Sequence, residues 1–240
     1  MVPLGRRSDV NPVAPSFSLL VRLVLLAAFG PVILFLAAGD TAWTMGWIFS
    51  IFMFAYTLLS RLALLIKNPD LIAERAESMK RDNVEPWDRR LVPLIGVLLP
   101  TLTVLLAGLD RRFRWSPDVP LWIQAAAYVP MFLGGLFAQW AAMENAFFSA
   151  VVRIQEDRGQ MIVTTGPYRY IRHPGYAGGL VFHLSVPVAL GSLWALLPVL
   201  ATSALTLLRT SLEDRTLLLK LKGYPEYAGR TRWRLIPGIW

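Results

Sequence analysis

Cysteine is absent from this 240-residue chain, and histidine occurs only twice, at His173 and His183. The lack of cysteine excludes disulfide bonds, Cys-ligated zinc, iron–sulfur clusters and cysteine nucleophiles. Two histidines also argue against a polyhistidine metal site. We therefore expect a protein that binds no metal.

Charged residues are scarce as well. They make up 17% of the chain, whereas an average soluble domain has about 25%, and 55% of the residues are hydrophobic. Together with a mean hydropathy of +0.48, this balance argues against a soluble globular protein. The net charge of +8 is typical of membrane chains whose basic loops face anionic lipid, so we expect no nucleic-acid partner.

Long apolar runs are what the chain has in abundance. Four segments, 17–39, 42–66, 91–109 and 121–150, are long enough to cross a hydrocarbon core of about 30 Å, and the last should extend past the bilayer at its C-terminal end. Arg6 and Arg7 precede the first segment without a small-residue cleavage site. This pattern predicts a retained transmembrane helix rather than a cleaved signal.

A fifth apolar stretch, Tyr176 to Leu208, is interrupted at Gly191-Ser192. Each half has about 16 residues, or about 24 Å of helix, which is short for a full span. Two short helices joined by a tight turn fit this pattern best. The sequence therefore predicts an all-α, polytopic membrane helix bundle with about six membrane segments, of which the last two form a C-terminal helical hairpin.

The basic residues predict the orientation of the bundle. If both termini are cytoplasmic, 20 of the Lys and Arg residues outside the spans lie on that side and three lie on the other. The positive-inside rule then puts both termini and the long basic loops in the cytoplasm. We expect one integral-membrane domain over 1–240, with the N-terminal spans in 1–150 and a basic loop, the hairpin and a cytoplasmic tail in 151–240.

Three further features each have two interpretations. The loop 67–90 mixes charges of both signs with apolar residues, and it is either a short helix on the membrane surface or a solvated connector. Glu144, near the cytoplasmic end of the fourth span, and His183, in the hairpin, are candidate functional groups because ionisable side chains are rare within membranes. The favoured interpretations are a helix-end carboxylate that reaches water and a hydrogen-bonded packing histidine.

The densest polar signal is the segment Gln155 to Gly179, which leads directly into the hairpin. Gly166-Pro167 indicates a turn, and Pro174 can begin a helix at its first turn. Polar donors and aromatic side chains converge there, namely Arg169, Arg172, His173, Tyr168, Tyr170 and Tyr176. Such a group suits a ligand with a flat ring and a carboxylate, but a basic membrane-surface loop with interfacial tyrosines has the same composition.

A second cluster, Arg209-Thr-Ser-Leu-Glu213-Asp214, lies where the hairpin should leave the membrane. Arg209 and Glu213 are four residues apart and share one helical face. They form either an ordinary surface ion pair or a pair of opposite charges at the cytoplasmic mouth of the bundle, where a zwitterionic ligand would bind.

These motifs resemble those of a known family. The run G-P-Y-R-Y-I-R-H-P-G-Y-A-G, followed by R-T-S-L-E-D and by G-Y-P-E-Y…R-L-I-P, is similar to the isoprenylcysteine carboxyl methyltransferase family, which is related to the phospholipid methyltransferases. The resemblance covers about Gln155 to Pro237. It implies a multi-span membrane enzyme that uses S-adenosylmethionine and binds this cofactor at the loop before the hairpin.

The resemblance also implies a role for individual residues. The residues implied to line the adenosine side of the cofactor are Gln155, Gln160, Met161, Ile162 and Val163, with Tyr168 closing over it. Those implied to hold the cofactor at the start of the hairpin are Arg172, His173, Pro174, Gly175 and Tyr176. The implied catalytic residues are Glu213, which would meet the cationic part of the cofactor, and Arg209, which would orient the methyl acceptor.

The implied reaction transfers a methyl group to a lipophilic acceptor, in particular an isoprenylcysteine-like carboxylate, at the cytoplasmic face of a bacterial-type membrane. A carboxylate is already ionised at neutral pH, so the scarcity of candidate bases agrees with this reaction. Isoprenylated protein, phospholipid, isoprenoid acid and thiol all stay open as acceptors. The alternatives are a membrane NADPH-dependent lipid or sterol-type reductase, with similar C-terminal helices, and a non-enzymatic scaffold or channel.

Overall fold

A computed structural model describes the backbone of residues 17–240 and the side chains of 21 and 24–240. Apart from single short turns, this part of the chain forms eight helices and no strand: α1 (Phe17–Ala38), α2 (Thr44–Lys67), α3 (Pro69–Glu77), α4 (Asp88–Phe113), α5 (Leu121–Glu144), α6 (Pro174–Ala189), α7 (Leu196–Lys220) and α8 (Tyr224–Arg230). The predicted all-α class is confirmed. The expectation for Arg6 and Arg7 lies outside the described residues.

Three helices, α2, α4 and α5, are long and apolar enough to cross a membrane. They contain 24, 26 and 24 residues, and 24 residues of helix extend about 36 Å, which exceeds a hydrocarbon core of about 30 Å. In α1 the described apolar stretch is the shorter Val24–Ala38. One π-helical turn, Leu94–Leu98, interrupts α4 between Pro93 and Pro100, because neither proline has an N–H to donate.

The hairpin has one short and one long helix. Its first helix, α6, has 16 residues, which matches the prediction, and Gly191 makes the turn with a φ of +66°. The second helix, α7, has 25 residues and continues well past Leu208. The predicted stretch ends at Leu208 because charged residues begin at Arg209, but Thr210 and Asp214 are buried along one face of the continuing helix.

The fourth apolar segment ends earlier than its hydrophobicity predicts. α5 stops at Glu144, because Asn145 leaves the helical conformation and its Oδ1 accepts a hydrogen bond from the backbone N–H of Phe147 at 2.8 Å. Such a side-chain turn competes with the helix. Residues 146–173 then follow an irregular path with two single turns, Glu156–Arg158 and Gly166–Arg169.

The loop 67–90 contains a helix, α3, and a single turn, Ser78–Lys80. Leu71 of α3 is fully buried against Leu64 and Ala142, so the first half of the loop is part of the packed bundle. Asn68 links it to α5, because its Nδ2 donates to the Met143 carbonyl at 3.0 Å. The first interpretation of this loop is therefore confirmed only in that 69–77 is a short helix, and its place on the membrane surface stays a prediction.

Glycines allow the closest helix crossings. A Cβ placed on Gly178 of α6 would lie 2.5 Å from the carbonyl oxygen of Gly134 in α5, and a Cβ on Gly134 would lie 2.7 Å from the carbonyl oxygen of Gly178. Gly108 of α4 meets the Leu34 carbonyl of α1 in the same way, at 2.6 Å. Small residues of this kind drive helix association in membranes, because backbones can then touch.

The two ends of the bundle differ in chemistry. At one end, Asp110 accepts hydrogen bonds from the hydroxyls of Ser116 and Ser192, which ties the α4–α5 connection to the hairpin turn. At the other end, Asp88 at the start of α4 pairs with Arg209 of α7. The loop 67–90, the segment 145–173 and the chain beyond Arg209 all gather at this second end.

Candidate active site

A cavity of about 800 Å³ lies at the Asp88–Arg209 end of the bundle. Its walls come from α1, α2, α3, α4, α6 and α7, from the segment 145–163 and from α8. Of the thirteen residues implied to form the site, all except Pro174 line this cavity: Gln155, Gln160, Met161, Ile162, Val163, Tyr168, Arg172, His173, Gly175, Tyr176, Arg209 and Glu213. Pro174 is buried at the first turn of α6.

Asp214 links several residues of the site by hydrogen bonds. This fully buried carboxylate accepts hydrogen bonds from Arg172 Nε at 2.8 Å, Arg172 Nη2 at 2.9 Å, Arg234 Nε at 2.8 Å and the Tyr224 hydroxyl at 2.9 Å, and His173 Nε2 lies 3.2 Å from it. Burial opposes the charged form of Asp214, but the hydrogen bonds from His173, Arg234 and Arg172 outweigh it and lower the pKa of this carboxyl.

Arg172 makes its hydrogen bonds mainly to other parts of the protein. Besides its two bonds to Asp214, its Nη1 donates to the carbonyls of Thr231 and Arg232, each at 3.0 Å. The backbone N–H groups of Arg172 and His173 donate to the carbonyls of Trp233 and Arg234, each at 2.9 Å. The implied donor Arg172 is thus largely used in fastening the tail across the start of α6.

The segment before the cavity is fixed by buried polar groups. Arg153, with 1% of its side chain exposed, binds Glu74 of α3 at 2.9 Å and Asp157 at 2.7 Å. Gln155 is also buried, and its Nε2 donates to the Phe147 carbonyl at 2.8 Å while its backbone N–H donates to Gln160 Oε1 at 2.7 Å. Gln155 and Gln160 therefore shape the loop, since both atoms of the Gln155 amide and the Oε1 of Gln160 are engaged within the protein.

Arg209 does not pair with Glu213, although they are one helical turn apart. Its Nε and Nη2 donate to the two oxygens of Asp88 at 2.7 and 3.0 Å, and Nη2 also donates to the Ala150 carbonyl at 2.9 Å. A two-pronged pair of this kind is strong and directional. The surface ion pair considered for Arg209 and Glu213 is therefore absent from the described structure.

Glu213 is left with a neutral partner, the hydroxyl of Tyr176, which donates to Oε2. No cation pairs with Glu213 in the part of the chain that the structure describes. Among the described residues that line the cavity, Glu213 is also the sole acidic one. A partly buried carboxylate without a counter-charge favours a cationic ligand.

The wall beside Glu213 is aromatic and apolar. Tyr168 is buried, and its hydroxyl donates to the Ala141 carbonyl at 3.3 Å; burial raises the pKa of this phenol. Ile162 and Val163 are half-buried in the same lining, while Met161 is largely exposed. A cavity with an aromatic and apolar wall and a carboxylate that has no cationic partner among the described residues fits a ligand that has both a flat ring and a positive charge.

Several residues of the site were missed by sequence reasoning. The sequence indicates no role for Asp88, which precedes an apolar span, or for Asp214, which follows Glu213 directly. Phe148 lines the cavity, and Arg75 lies over its ring at 5.4 Å. An acidic residue at the start of a span was the available signal for Asp88, but its partner Arg209 is 121 positions away.

Two other candidates lie outside the cavity lining. Glu144 accepts a hydrogen bond from the Thr165 hydroxyl and so fastens the segment 145–173 to the end of α5. His183 stands edge to face with Phe182, whose ring belongs to the core of the bundle. Within the described residues, no group of three or more His, Asp or Glu side chains could hold a metal ion.

The helices and the cavity define a class, a polytopic helical membrane protein with a ligand pocket at one end of its bundle. The model of the Isoprenylcysteine carboxyl methyltransferase (ICMT) family matches residues 128–219, more than a third of the chain. This region runs from α5 through nearly all of α7, so it includes Glu213 and most of the cavity wall. The predicted resemblance to this methyltransferase family is confirmed. A search of curated proteins gives no match.

Proposed function

We propose that the protein is an S-adenosylmethionine-dependent methyltransferase that esterifies the carboxylate of a lipophilic, isoprenylcysteine-like acceptor. The observation that carries the proposal is the carboxylate of Glu213, which has no cationic partner among the described residues and faces a cavity with an aromatic and apolar wall. The match to the ICMT family over residues 128–219 supports the same chemistry.

Different residues of the cavity fit different parts of the cofactor. S-adenosylmethionine, when bound, supplies an electrophilic methyl group on a positively charged sulfur. Glu213 would hold its cationic portion, and Tyr168 with Ile162 and Val163 would enclose its adenine ring. His173, held by Asp214, lines the same cavity and offers its remaining ring nitrogen.

The reaction requires position rather than a strong base. An acceptor carboxylate is ionised at neutral pH, so its oxygen can form the bond to the methyl carbon while the carbon–sulfur bond breaks, and no proton has to be removed. The protein then contributes alignment and exclusion of water. The arginines that line the cavity agree with an anionic acceptor of this kind.

We further propose that the cavity faces the cytoplasm. The end of the bundle that holds it carries the basic loops 61–90 and 153–172 and the chain from Arg209 onward, whereas Arg111, Arg112 and Arg114 lie at the opposite end. Positive residues gather on the cytoplasmic side of membrane proteins. The cofactor would then enter from the cytoplasm and the acceptor from the bilayer.

The first test is a calorimetric titration of the detergent-purified protein with S-adenosylhomocysteine, the expected product, and separately with NADPH. We expect saturable binding of S-adenosylhomocysteine alone. Binding of NADPH alone would mean that the protein is a membrane reductase with a similar scaffold. Binding of neither would contradict both enzyme assignments.

Glu213→Gln tests the carrying observation, because it keeps the shape of the side chain and removes its charge. We expect binding of S-adenosylhomocysteine, which retains the ammonium of the cofactor, to weaken by about tenfold. The matched control is Glu156→Gln, since Glu156 is exposed and lies outside the cavity lining. Equal affinities in both variants would remove Glu213 from the cofactor site.

The type of acceptor can be tested by product chemistry. The protein is incubated with methyl-labelled S-adenosylmethionine and N-acetyl-S-farnesylcysteine, and the lipid product is treated with alkali. A methyl ester releases labelled methanol under these conditions, whereas a methylated amine or thioether does not. Alkali-stable label in the product would exclude carboxyl methylation.

A further inference from the structure

Two arginines of the cavity have no counter-charge among the residues that the structure describes. Arg153, Arg172 and Arg209 each bind a carboxylate, whereas Arg61 of α2 and Arg75 of α3 have neither an ion pair nor a side-chain hydrogen bond to any described residue. Within the described part of the chain, the cavity is thus lined by two unpaired cations as well as by the unpaired anion Glu213.

The surroundings of Arg75 make its lack of a partner costly. Its side chain is partly buried, and its guanidinium lies over the Phe148 ring at 5.4 Å. Burial and the positive charges of Arg61 and Arg209 lower the pKa of Arg75 to about 10. A desolvated guanidinium close to other cations is stabilised when an anion binds beside it.

The chain around these arginines is apolar and reaches the outer surface of the bundle. Leu65 of α2 and Ile72 of α3 line the cavity next to them. Leu26 of α1 and Val97 of α4 line it too, and both have more than half of their surface exposed, 55% and 61%. The cavity therefore extends from the arginines to the lipid-facing side of the helices.

We propose that Arg61 and Arg75 form a subsite for the anionic group of an amphiphile whose apolar chain lies among α1, α2 and α4. This assignment rests on the proposed function: the anion is the carboxylate of the methyl acceptor. The charge of Arg209 is already balanced by Asp88, so the two unpaired arginines are better suited to recognise the acceptor. Glu213 and the arginine pair then divide the cavity between the cation of one substrate and the anion of the other.

The test compares binding of N-acetyl-S-farnesylcysteine with binding of its carboxamide, in the presence of saturating S-adenosylhomocysteine. We expect the wild type to prefer the carboxylate by at least about tenfold, because a hydrogen-bonded charge contributes that much. Arg61→Gln and Arg75→Gln should each lose most of this preference, and Arg75→Lys should keep part of it. Arg90→Gln is the matched control, since Arg90 is exposed and outside the cavity lining.

Two further measurements separate the possible failures. The affinity for S-adenosylhomocysteine should stay within about twofold in both Gln variants, which shows that they are folded. A wild type without carboxylate preference, or Gln variants that keep it, would overturn the subsite even if S-adenosylhomocysteine binds. Carboxylate preference without any S-adenosylhomocysteine binding would support the anion subsite and remove the proposed function.

Dioleoyl phosphatidic acid is the third probe. A preference for this lipid alone would assign the two arginines to a phosphate headgroup and overturn their role toward the acceptor.

Discussion

Asp214 connects three parts of the chain that the sequence keeps apart. It lies on α7, and its partners Arg172, Tyr224 and Arg234 come from the start of α6, from α8 and from the tail. Removing a buried charge that balances several cations leaves those cations uncompensated. The stability of the site therefore depends on this carboxylate more than on Glu213, which has only a hydroxyl partner.

We predict that Asp214→Asn lowers the stability of the detergent-solubilised protein by about 3 kcal/mol, since breaking a buried ion pair has this cost. Thermal or denaturant unfolding followed by tryptophan fluorescence measures the change. Asp118→Asn, at an exposed position near the opposite end of the bundle, serves as the control and should leave stability unchanged.

The stability difference between the wild type and Asp214→Asn should depend on pH. Because the folded protein lowers the pKa of Asp214, the stabilisation that this carboxylate contributes is complete above its unfolded pKa of about 4 and is lost as the pH falls through the folded pKa. The stability difference between wild type and Asp214→Asn should therefore narrow when the pH is lowered from neutral to below about 4. A constant difference across that range would contradict a charged Asp214.

Gly175 allows Phe148 to approach the start of α6. A Cβ on Gly175 would lie 2.5 Å from Phe148 Cζ, so Gly175→Ala must displace the ring, which contacts Arg75 and lines the cavity. We expect S-adenosylhomocysteine binding to weaken by about tenfold, which corresponds to the strain of one misplaced methyl group. Titration calorimetry measures the affinity.

The control for this change lies one turn further along the same helix. A Cβ on Gly179 would have no neighbour within 4 Å, so Gly179→Ala should bind normally. The double variant Gly175→Ala/Phe148→Leu should recover part of the affinity, because leucine is shorter than the ring. Failure of this rescue would mean that Gly175 acts on the ligand directly.

At the scale of elements, the crossing of α5 and α6 depends on two facing glycines, Gly134 and Gly178. We predict that Gly178→Ala destabilises the protein by about 2 kcal/mol, because its methyl group meets the backbone oxygen of Gly134, which cannot move without separating the helices. The unfolding temperature in detergent measures the effect. Gly30→Ala, where a Cβ would have no neighbour within 4 Å, should be neutral or slightly stabilising, and equal losses in both variants would contradict the crossing argument.

How much of each element the sequence predicts depends on where its boundary signals lie. The spans α2 and α4 follow from local apolar runs, and α6 from Pro174 and Gly191. The end of α5 was placed too late, because the turn formed by Asn145 is weaker in the sequence than the apolar residues after it. α7 was placed too short, because charged residues that face buried partners look like solvated ones.

All but one of the residues implied for the site line one cavity, whereas the pairings of its charges do not follow from the sequence. Local motifs identified the lining around His173 and Glu213. The partners of the buried charges were not predicted, because Asp88 meets Arg209 and Glu74 meets Arg153 only through tertiary folding. The sequence likewise does not show that Arg61 and Arg75 lack partners among the described residues. This becomes clear only when the structure shows which partners the other charges of the cavity have.

At the scale of the whole molecule, orientation in the membrane can be measured with single cysteines, since the chain has none of its own. We predict that Lys80→Cys, at the cavity end, reacts with an impermeant maleimide in inside-out vesicles only. Asp118→Cys, at the opposite end, should react in right-side-out vesicles only. The reverse pattern would put the cavity on the outer side of the membrane, where the proposed cytoplasmic cofactor could not reach it.

Asp88 and Arg209 are far apart in the sequence, so they are synthesised at different times. A chain made from its N-terminus inserts α4 while α7, with Arg209, 121 residues later, is still to be synthesised. Until then, the Asp88 carboxylate has to stay hydrated, because an ionised group without a partner is too costly to bury. We therefore expect the Asp88–Arg209 pair, and the part of the cavity wall that it holds, to form only after α7 has been synthesised.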